Sequence, residues 1–98
     1  MTSHLPLPND TALPQQRPGT WLRQSDDEIV IVDTEQSRLH VLNDTALALW
    51  QLCTGENTVQ EMIIAICELC GEPADVVRRD VQSTLASFDR AGLLQWRS

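Results

Sequence analysis

Two cysteines, Cys67 and Cys70, form a Cys-x-x-Cys pair, a spacing that serves zinc binding or thiol–disulfide exchange. Zinc usually takes four protein ligands, and only Cys53, His4 and His40 remain to complete a set. The pair also falls at the end of a predicted helix, whereas a redox pair has its reactive thiol at a helix start. We therefore expect free thiols in core or partly buried positions, with no metal and no cofactor. The odd number of cysteines indicates a reducing, cytoplasmic setting.

No other set of residues predicts catalysis. The chain contains no Lys and no Tyr, and it has no glycine-rich phosphate loop. It also lacks a Ser–His–Asp order with supporting context. The acidic pair Asp26-Asp27 lies in a predicted turn, where solvated surface is the expected role. We predict that the chain is not an enzyme.

Size and charge restrict the classes of function further. The chain has 98 residues, of which 42% are hydrophobic, which fits one small domain with a modest core. Its net charge is −7, and all seven basic residues are Arg. Such a chain is poorly suited to neutralising phosphates, so we expect no nucleic-acid partner. No apolar run approaches the ~20 residues of a membrane span, and no signal-like segment begins the chain, so we expect neither membrane insertion nor secretion.

The first eighteen residues contain four of the five prolines. Proline lacks a backbone donor and fixes φ, so we predict a flexible N-terminal tail over residues 1–19 and a folded domain over residues 20–98. Within that domain, β-branched runs and intervening turn residues predict an antiparallel three-stranded meander. In its third strand, Leu39 and Val41 point to one face, and the alternate residues point to the other. The predicted strands are 21–23, 28–32 and 38–42.

After residue 42 the apolar period changes from 2 to about 3.6, which predicts three helices. Trp50 lies within the first of them and is expected in the core, whereas Trp21 and Trp96 are expected to pack together or to be exposed. The third helix repeats apolar residues along one stripe. The boundary signals are Asn43 or Asp44, Gly55, the Thr58–Glu61 capping box, Gly71, Pro73 and Gly92.

The predicted fold class is therefore α+β: a winged helix-turn-helix-like arrangement of a three-stranded antiparallel sheet followed by a three-helix cluster. So small a sheet needs the helices to cover one face. One sheet edge then stays open, and another chain can add a strand there.

The segment from Ile31 to Asn43, IVDTEQSRLHVLN, resembles the strand–loop–strand signature of the PqqD-like proteins, which are also called RiPP recognition elements. The resemblance covers about residues 20–96 in order. It continues at Thr45, Trp50, Gly55, Thr58–Glu61, Asp80, Val81 and residues 90–94.

This resemblance implies that the chain binds the leader segment of a ribosomally made precursor peptide. It would present that peptide to a modifying enzyme or leader peptidase. The leader would add as a strand to the third strand and lie against the third helix. Carried onto this sequence, the peptide-binding residues would be Ser37, Arg38, Leu39, His40, Val41, Arg78, Val81, Gln82 and Leu85.

The sequence departs from the family pattern at three of these positions. Ser37 stands at a turn position where Gly is common, and Leu39 and His40 stand where aromatic side chains are common. These departures argue against the pyrroloquinoline quinone pathway. They favour another peptide, such as a lasso peptide or a radical-enzyme substrate. For His40, a half-exposed strand position without a role is the alternative to a pH-sensitive contact.

Two other functions stay open. A degenerate winged-helix regulator would need a basic helix face and a dimer, but the arginines of the third helix are balanced by aspartates on the same helix. Arg78 and Arg79 can equally form a solvated face or contact an acidic leader residue. A protein-interaction module could instead join two enzymes without binding peptide. The free sheet edge would also allow a homodimer by strand exchange.

Overall fold

The computed structural model describes residues 10–97. His4 and the first part of the predicted tail therefore lie outside the described residues. These described residues form five strands and three helices. They are β1 (Leu13–Gln16), β2 (Thr20–Gln24), β3 (Ile29–Asp33), β4 (Arg38–Leu42), α1 (Asp44–Leu52), α2 (Val59–Cys70), α3 (Ala74–Arg90) and β5 (Leu94–Arg97).

The strands form two antiparallel sheets. One has three strands in the order β2-β3-β4, and the other pairs β1 with β5. The α+β class, with an antiparallel sheet and three helices, is confirmed, and the predicted third strand coincides with β4. The predicted sheet count is wrong, because the prediction contained neither β1 nor β5.

The structure also differs from the prediction of a flexible tail over residues 1–19. Leu13 pairs with Arg97 at one end of β1, and Gln16 pairs with Leu94 at the other. Pro14 is buried within this strand. Proline fits here because its fixed φ is compatible with an extended strand and its backbone position points away from β5, on the side where Pro14 O accepts from Gly55 N. The folded unit thus begins before residue 20.

The three helices begin and end at residues that the sequence marks. Asn43 caps α1 by accepting a hydrogen bond from the Ala46 N–H at 2.8 Å. The predicted capping box of α2 is confirmed, since Thr58 and Glu61 each accept from the other's backbone N–H. Gly71 ends α2 with a left-handed φ of 70°. In the described part of the chain, no helix combines the length and apolar character needed to cross a membrane.

The core lies between the three helices and one face of the three-stranded sheet. Trp50 is buried, as predicted, and its ring meets that of Phe88 edge-on at a centroid distance of 5.4 Å. Ile31 and Leu42 are the buried residues that the three-stranded sheet contributes to this core. The buried stripe of α3 consists of Val77, Val81, Leu85 and Phe88.

The other two tryptophans occupy separate sheets. Trp96 in β5 is partly buried, and its indole N–H donates to Asp89 Oδ1 at 2.9 Å. Trp21 in β2 is about half exposed, at 49%. It stands beside Val32 in the sheet register, on the face that points away from the core.

Candidate functional site

Strand β4 is an edge of the three-stranded sheet, and its backbone direction follows from the hydrogen bonds around β3. Ser25 N donates to Glu28 O, and Thr34 N donates to Gly19 O, so the even-numbered residues of β3 bond towards β2. Because alternate residues of an antiparallel ladder bond to opposite sides, the odd-numbered residues of β3 bond towards β4. In β4, therefore, the N–H and C=O groups of Leu39 and Val41 point to the open edge.

The side chains of the same two residues lie on the outer face of the sheet, away from the core. Leu39 is 57% exposed and Val41 is 65% exposed, whereas Leu42 is buried in the core and His40 is partly buried. This alternation matches the predicted division of the strand. Val30, the partner of Val41 in the register, is already only 2% exposed. The outer face thus carries an apolar patch, which we call the outer patch. It consists of Trp21, Val30, Val32, Leu39 and Val41.

The turn that leads into β4 is held by Asp33, the one buried charged residue among those described. Its Oδ1 accepts from the backbone N–H groups of Glu35 at 3.1 Å and Gln36 at 3.2 Å. Its Oδ2 accepts from Gln36 Nε2 and from Arg17 Nη2, each at 2.8 Å. Arg17 Nε also donates to Gly92 O, so this cluster joins the N-terminal segment, the turn and the end of α3.

These contacts decide the charge of Asp33. Burial alone would raise its pKa, but the backbone N–H of Gln36, the hydrogen bond and charge of Arg17, and the Gln36 side chain together lower the pKa below its ordinary value. The carboxylate is therefore ionised at neutral pH and holds the turn by accepting hydrogen bonds.

Ser37, immediately before β4, has a φ of 56°, in the left-handed region that favours glycine. The sequence prediction placed it at a turn position where related proteins commonly have Gly, and the backbone gives the physical reason. The turn thus carries a small conformational strain at the start of the open edge.

Helix α3 meets the segments that precede and follow β4, and the second of these contacts encloses a cleft. At one end, Gln36 Nε2 lies 3.3 Å from Ala91 O, close to the end of α3. At the other end, residues that follow β4 meet the middle of α3 around a cleft of about 290 Å³. The cleft is lined by Asn43, Thr45, Asp80, Ser83 and Thr84. The α3 side of this cleft is therefore small and polar, with one acidic residue.

The structure does not bring the predicted α3 residues to β4. Val81 and Leu85 are 0% exposed and belong to the core. Arg78 lies on another flank, where its guanidinium pairs with Asp10 at 2.6 Å; the hydrogen bond and charge of Asp10 raise the pKa of Arg78.

Gln82 is one helical turn beyond Arg78 on that flank, since residues four apart share a helix face. Two of the predicted binding residues, Val81 and Leu85, therefore belong to the core stripe of α3. The α3 residues that line the cleft are Asp80, Ser83 and Thr84, which the sequence shows as a small polar flank beside that stripe.

His40 lies on the inner face of β4, opposite Ile31 in the register. Its Nε2 is buried and has no hydrogen-bond partner among the described residues. An unpaired buried nitrogen is costly, so it favours a partner with a complementary polar atom. This places one unsatisfied polar atom on the side of β4 that faces the helices.

The three cysteines are free and differ in exposure. Cys53 is buried, its Sγ lies 3.2 Å from Leu49 O, and burial raises the pKa of its thiol to about 12. Cys67 is partly buried, but Cys70 is exposed at the end of α2, so the expectation of core or partly buried thiols is wrong for Cys70. Among residues 10–97, no three His, Cys, Asp or Glu side chains are grouped so as to hold a metal ion.

Comparison with known proteins adds a family match. The model of the family "Coenzyme PQQ synthesis protein D (PqqD)" matches residues 28–94, which include β4, all three helices and the cleft. A search of curated protein sequences finds no matching relative.

Three solved structures share the fold. TbiB1, in complex with the TbiA(beta) leader peptide, is 21% identical, with a TM-score of 0.73 over 83% of this chain and 94% of that one. A lasso peptide synthetase B1 complexed with a leader peptide is 19% identical, with a TM-score of 0.75 over 85% and 98%. The PqqD truncation of Methylobacterium extorquens PqqCD, a stand-alone RiPP recognition element, is 24% identical, with a TM-score of 0.70 over 84% and 87%.

Proposed function

The chain belongs to the PqqD family, and from this premise we propose that it binds the leader segment of a ribosomally synthesised precursor peptide. It presents the bound peptide to a separate modifying enzyme or leader peptidase. As a PqqD-type protein it is a non-catalytic binding protein. The two structural neighbours with bound leader peptides have the same fold and support this role.

The observation that carries the proposal is the open edge of β4. The leader adds as a further strand, and its backbone pairs with the outward N–H and C=O groups of Leu39 and Val41. Ser37 and Arg38 flank this contact at one end, and His40 lies behind it. The outer side of β4 has no strand partner in the described chain, which supports this mode.

The second wall of the site is the polar flank of α3. We assign it to Asp80, Ser83 and Thr84, in place of the core residues Val81 and Leu85. We also propose that the arrangement is winged helix-turn-helix-like, with α2 and α3 as the paired helices and the three-stranded sheet as the wing. The short connection between α2 and α3, residues 71–73, supports this description.

Charge supports a peptide partner over nucleic acid. The net charge of −7 and an acidic residue in the cleft oppose phosphate binding. They favour a partner enzyme whose docking surface is basic or neutral. We propose that the binding unit includes β1, because β1 pairs with β5 and is part of the same fold.

The test is a titration of labelled leader peptides, taken from short reading frames near the gene, followed by fluorescence anisotropy at moderate salt. We expect saturable binding of one leader at micromolar Kd or tighter. Val41→Pro removes an outward N–H from β4 and should abolish binding.

Gln24→Pro is the matched control, because it removes an outward N–H from β2, the other open edge of the same sheet. It should leave binding unchanged, and circular dichroism should show both variants folded. If no leader binds to the folded wild-type protein, the leader-binding proposal is wrong. A protein-interaction module without peptide binding then becomes the better description.

A further inference from the structure

We propose that the β4 edge selects a peptide strand of alternating polarity, with apolar residues opposite Leu39 and Val41 and basic residues at the intervening positions. This inference rests on the proposed function and specifies the chemistry of the peptide. It follows because the two faces of the sheet next to β4 differ in polarity. One side is the outer patch, and the other is the polar cleft along α3.

The apolar half of the pattern follows from the backbone direction. Leu39 and Val41 supply both the outward backbone groups and the exposed outer side chains. In an antiparallel pair, residues directly opposite each other place their side chains on the same face, about 5 Å apart. The peptide residues opposite Leu39 and Val41 therefore extend the outer patch, where apolar side chains cover surface that is otherwise exposed to water.

The packing beneath this position strengthens the argument. Val30 is almost fully buried although it lies on the outer face, so the patch already excludes water at its centre. Trp21 and Leu39 flank Val32 in the register and form a continuous apolar row across all three strands. In an added strand, an apolar residue opposite Leu39 would extend this row of apolar side chains to a fourth strand.

The basic half of the pattern follows from the inner side. Peptide residues opposite His40 and Leu42 point to the helix side of the sheet. The cleft on that side, between the residues after β4 and the middle of α3, contains one charged residue, Asp80, among otherwise neutral polar side chains. The exposed carboxylate of Asp44 lies at the same end, in the first turn of α1. A Lys or Arg side chain can donate to Asp80, whereas Glu would be repelled.

The experiment uses three short labelled peptides of matched length: alternating Val and Lys, alternating Val and Glu, and the Val/Lys composition in two blocks. Binding is followed by fluorescence anisotropy. The alternating Val/Lys peptide should bind at least about tenfold more tightly than either of the others. Val41→Pro should abolish its binding.

A charge reversal tests the assignment to the cleft. Asp80→Lys should reverse the preference, so that the alternating Val/Glu peptide binds more tightly. Asp75→Lys changes the net charge equally at an exposed position of α3 outside the cleft lining, and it should keep the wild-type preference. Circular dichroism checks that both variants fold.

The outcomes separate this inference from the proposed function. Equal binding of the Lys and Glu peptides, lost in Val41→Pro, would overturn the polarity selection and leave strand addition standing. Failure of all three peptides would also overturn the selection, while the leader titration still decides leader binding. Equal effects of Asp80→Lys and Asp75→Lys would assign the preference to overall charge and refute the role of the cleft.

Discussion

Strands β1 and β4 have similar lengths, but they differ in how many of their backbone N–H and C=O groups are hydrogen-bonded within the fold. β1 is bonded on both sides: it pairs with β5, and Gln16 N donates to Cys53 O while Pro14 O accepts from Gly55 N. Within residues 10–97, β4 is bonded on one side only, and its outer residues are exposed. A strand with both sides satisfied contributes stability, whereas a strand with one free side is available for recognition.

The largest effect should come from breaking the cluster that joins the β1 segment to the turn before β4. Arg17→Met leaves the buried Asp33 carboxylate without its cationic partner, and a buried charge that loses its partner is strongly destabilising. We expect Tm to fall by about 10 °C or more, measured by thermal unfolding. Arg38→Met removes an exposed arginine at the other end of the same turn and should change Tm by no more than about 2 °C. Similar shifts for the two variants would contradict a special role for the cluster.

The same cluster predicts a dependence of stability on pH. The folded-state pKa of Asp33 lies below its ordinary value of 3.8, so its contribution is complete above that value and is lost as pH falls through the lower folded-state pKa. Wild type should therefore exceed Asp33→Asn in free energy of unfolding at neutral pH, and the difference should shrink below the ordinary value. Urea unfolding over a pH series measures it. A difference that stays constant across the series would show that the charge of Asp33 is not the cause.

One substitution made in both strands separates stability from binding. Gln16→Pro removes the N–H that bonds to Cys53 O and the side chain that donates to Trp50 O at 2.8 Å, so we expect a loss of about 2 to 3 kcal/mol. Val41→Pro removes an N–H that has no partner among the described residues, so the loss should be below about 1 kcal/mol, while leader binding is abolished. Urea unfolding and anisotropy on both variants test this. The opposite ranking of stabilities would reverse the assignment of the two strands.

The smallest effect concerns the strained turn at the start of β4. Ser37→Gly relieves a left-handed φ and should stabilise the fold by about 0.5 to 1 kcal/mol in urea unfolding. Ser25→Gly is the control, because Ser25 lies in the other hairpin turn and is not among the residues with positive φ. It should be neutral or slightly destabilising, since its hydroxyl bonds to Glu28. Destabilisation by Ser37→Gly would mean that the serine side chain matters more than the backbone strain.

The sequence predicted the features whose signals are local. The capping box at Thr58 and Glu61, the bounds of β4 and the alternation of Leu39 and Val41 depend on neighbouring residues, and the structure agrees with them. The pairing of β1 with β5 could not be predicted from neighbouring residues. It joins residues from opposite ends of the chain, and prolines in the first segment suppress the usual strand signal.

The site predicted from the sequence and the site proposed from the structure share the β4 wall and differ on the α3 wall. An edge strand is recognisable because it follows a hairpin and alternates in polarity. The choice of helix flank depends on how α3 is rotated against the sheet, which tertiary packing decides. Val81 and Leu85 are the apolar residues of the middle of α3, so they are buried in the core. The polar residues Asp80, Ser83 and Thr84 line the cleft instead.

The pairing of Leu13 with Arg97 has a topological consequence. Because the two ends of the described chain run side by side, a short linker could join them, and new termini could be opened at the connection between α2 and α3, residues 71–73. Such a circular permutant would keep every strand pairing. For the same reason, an enzyme domain fused through either end would be tethered at the β1–β5 ribbon and would leave the β4 edge free.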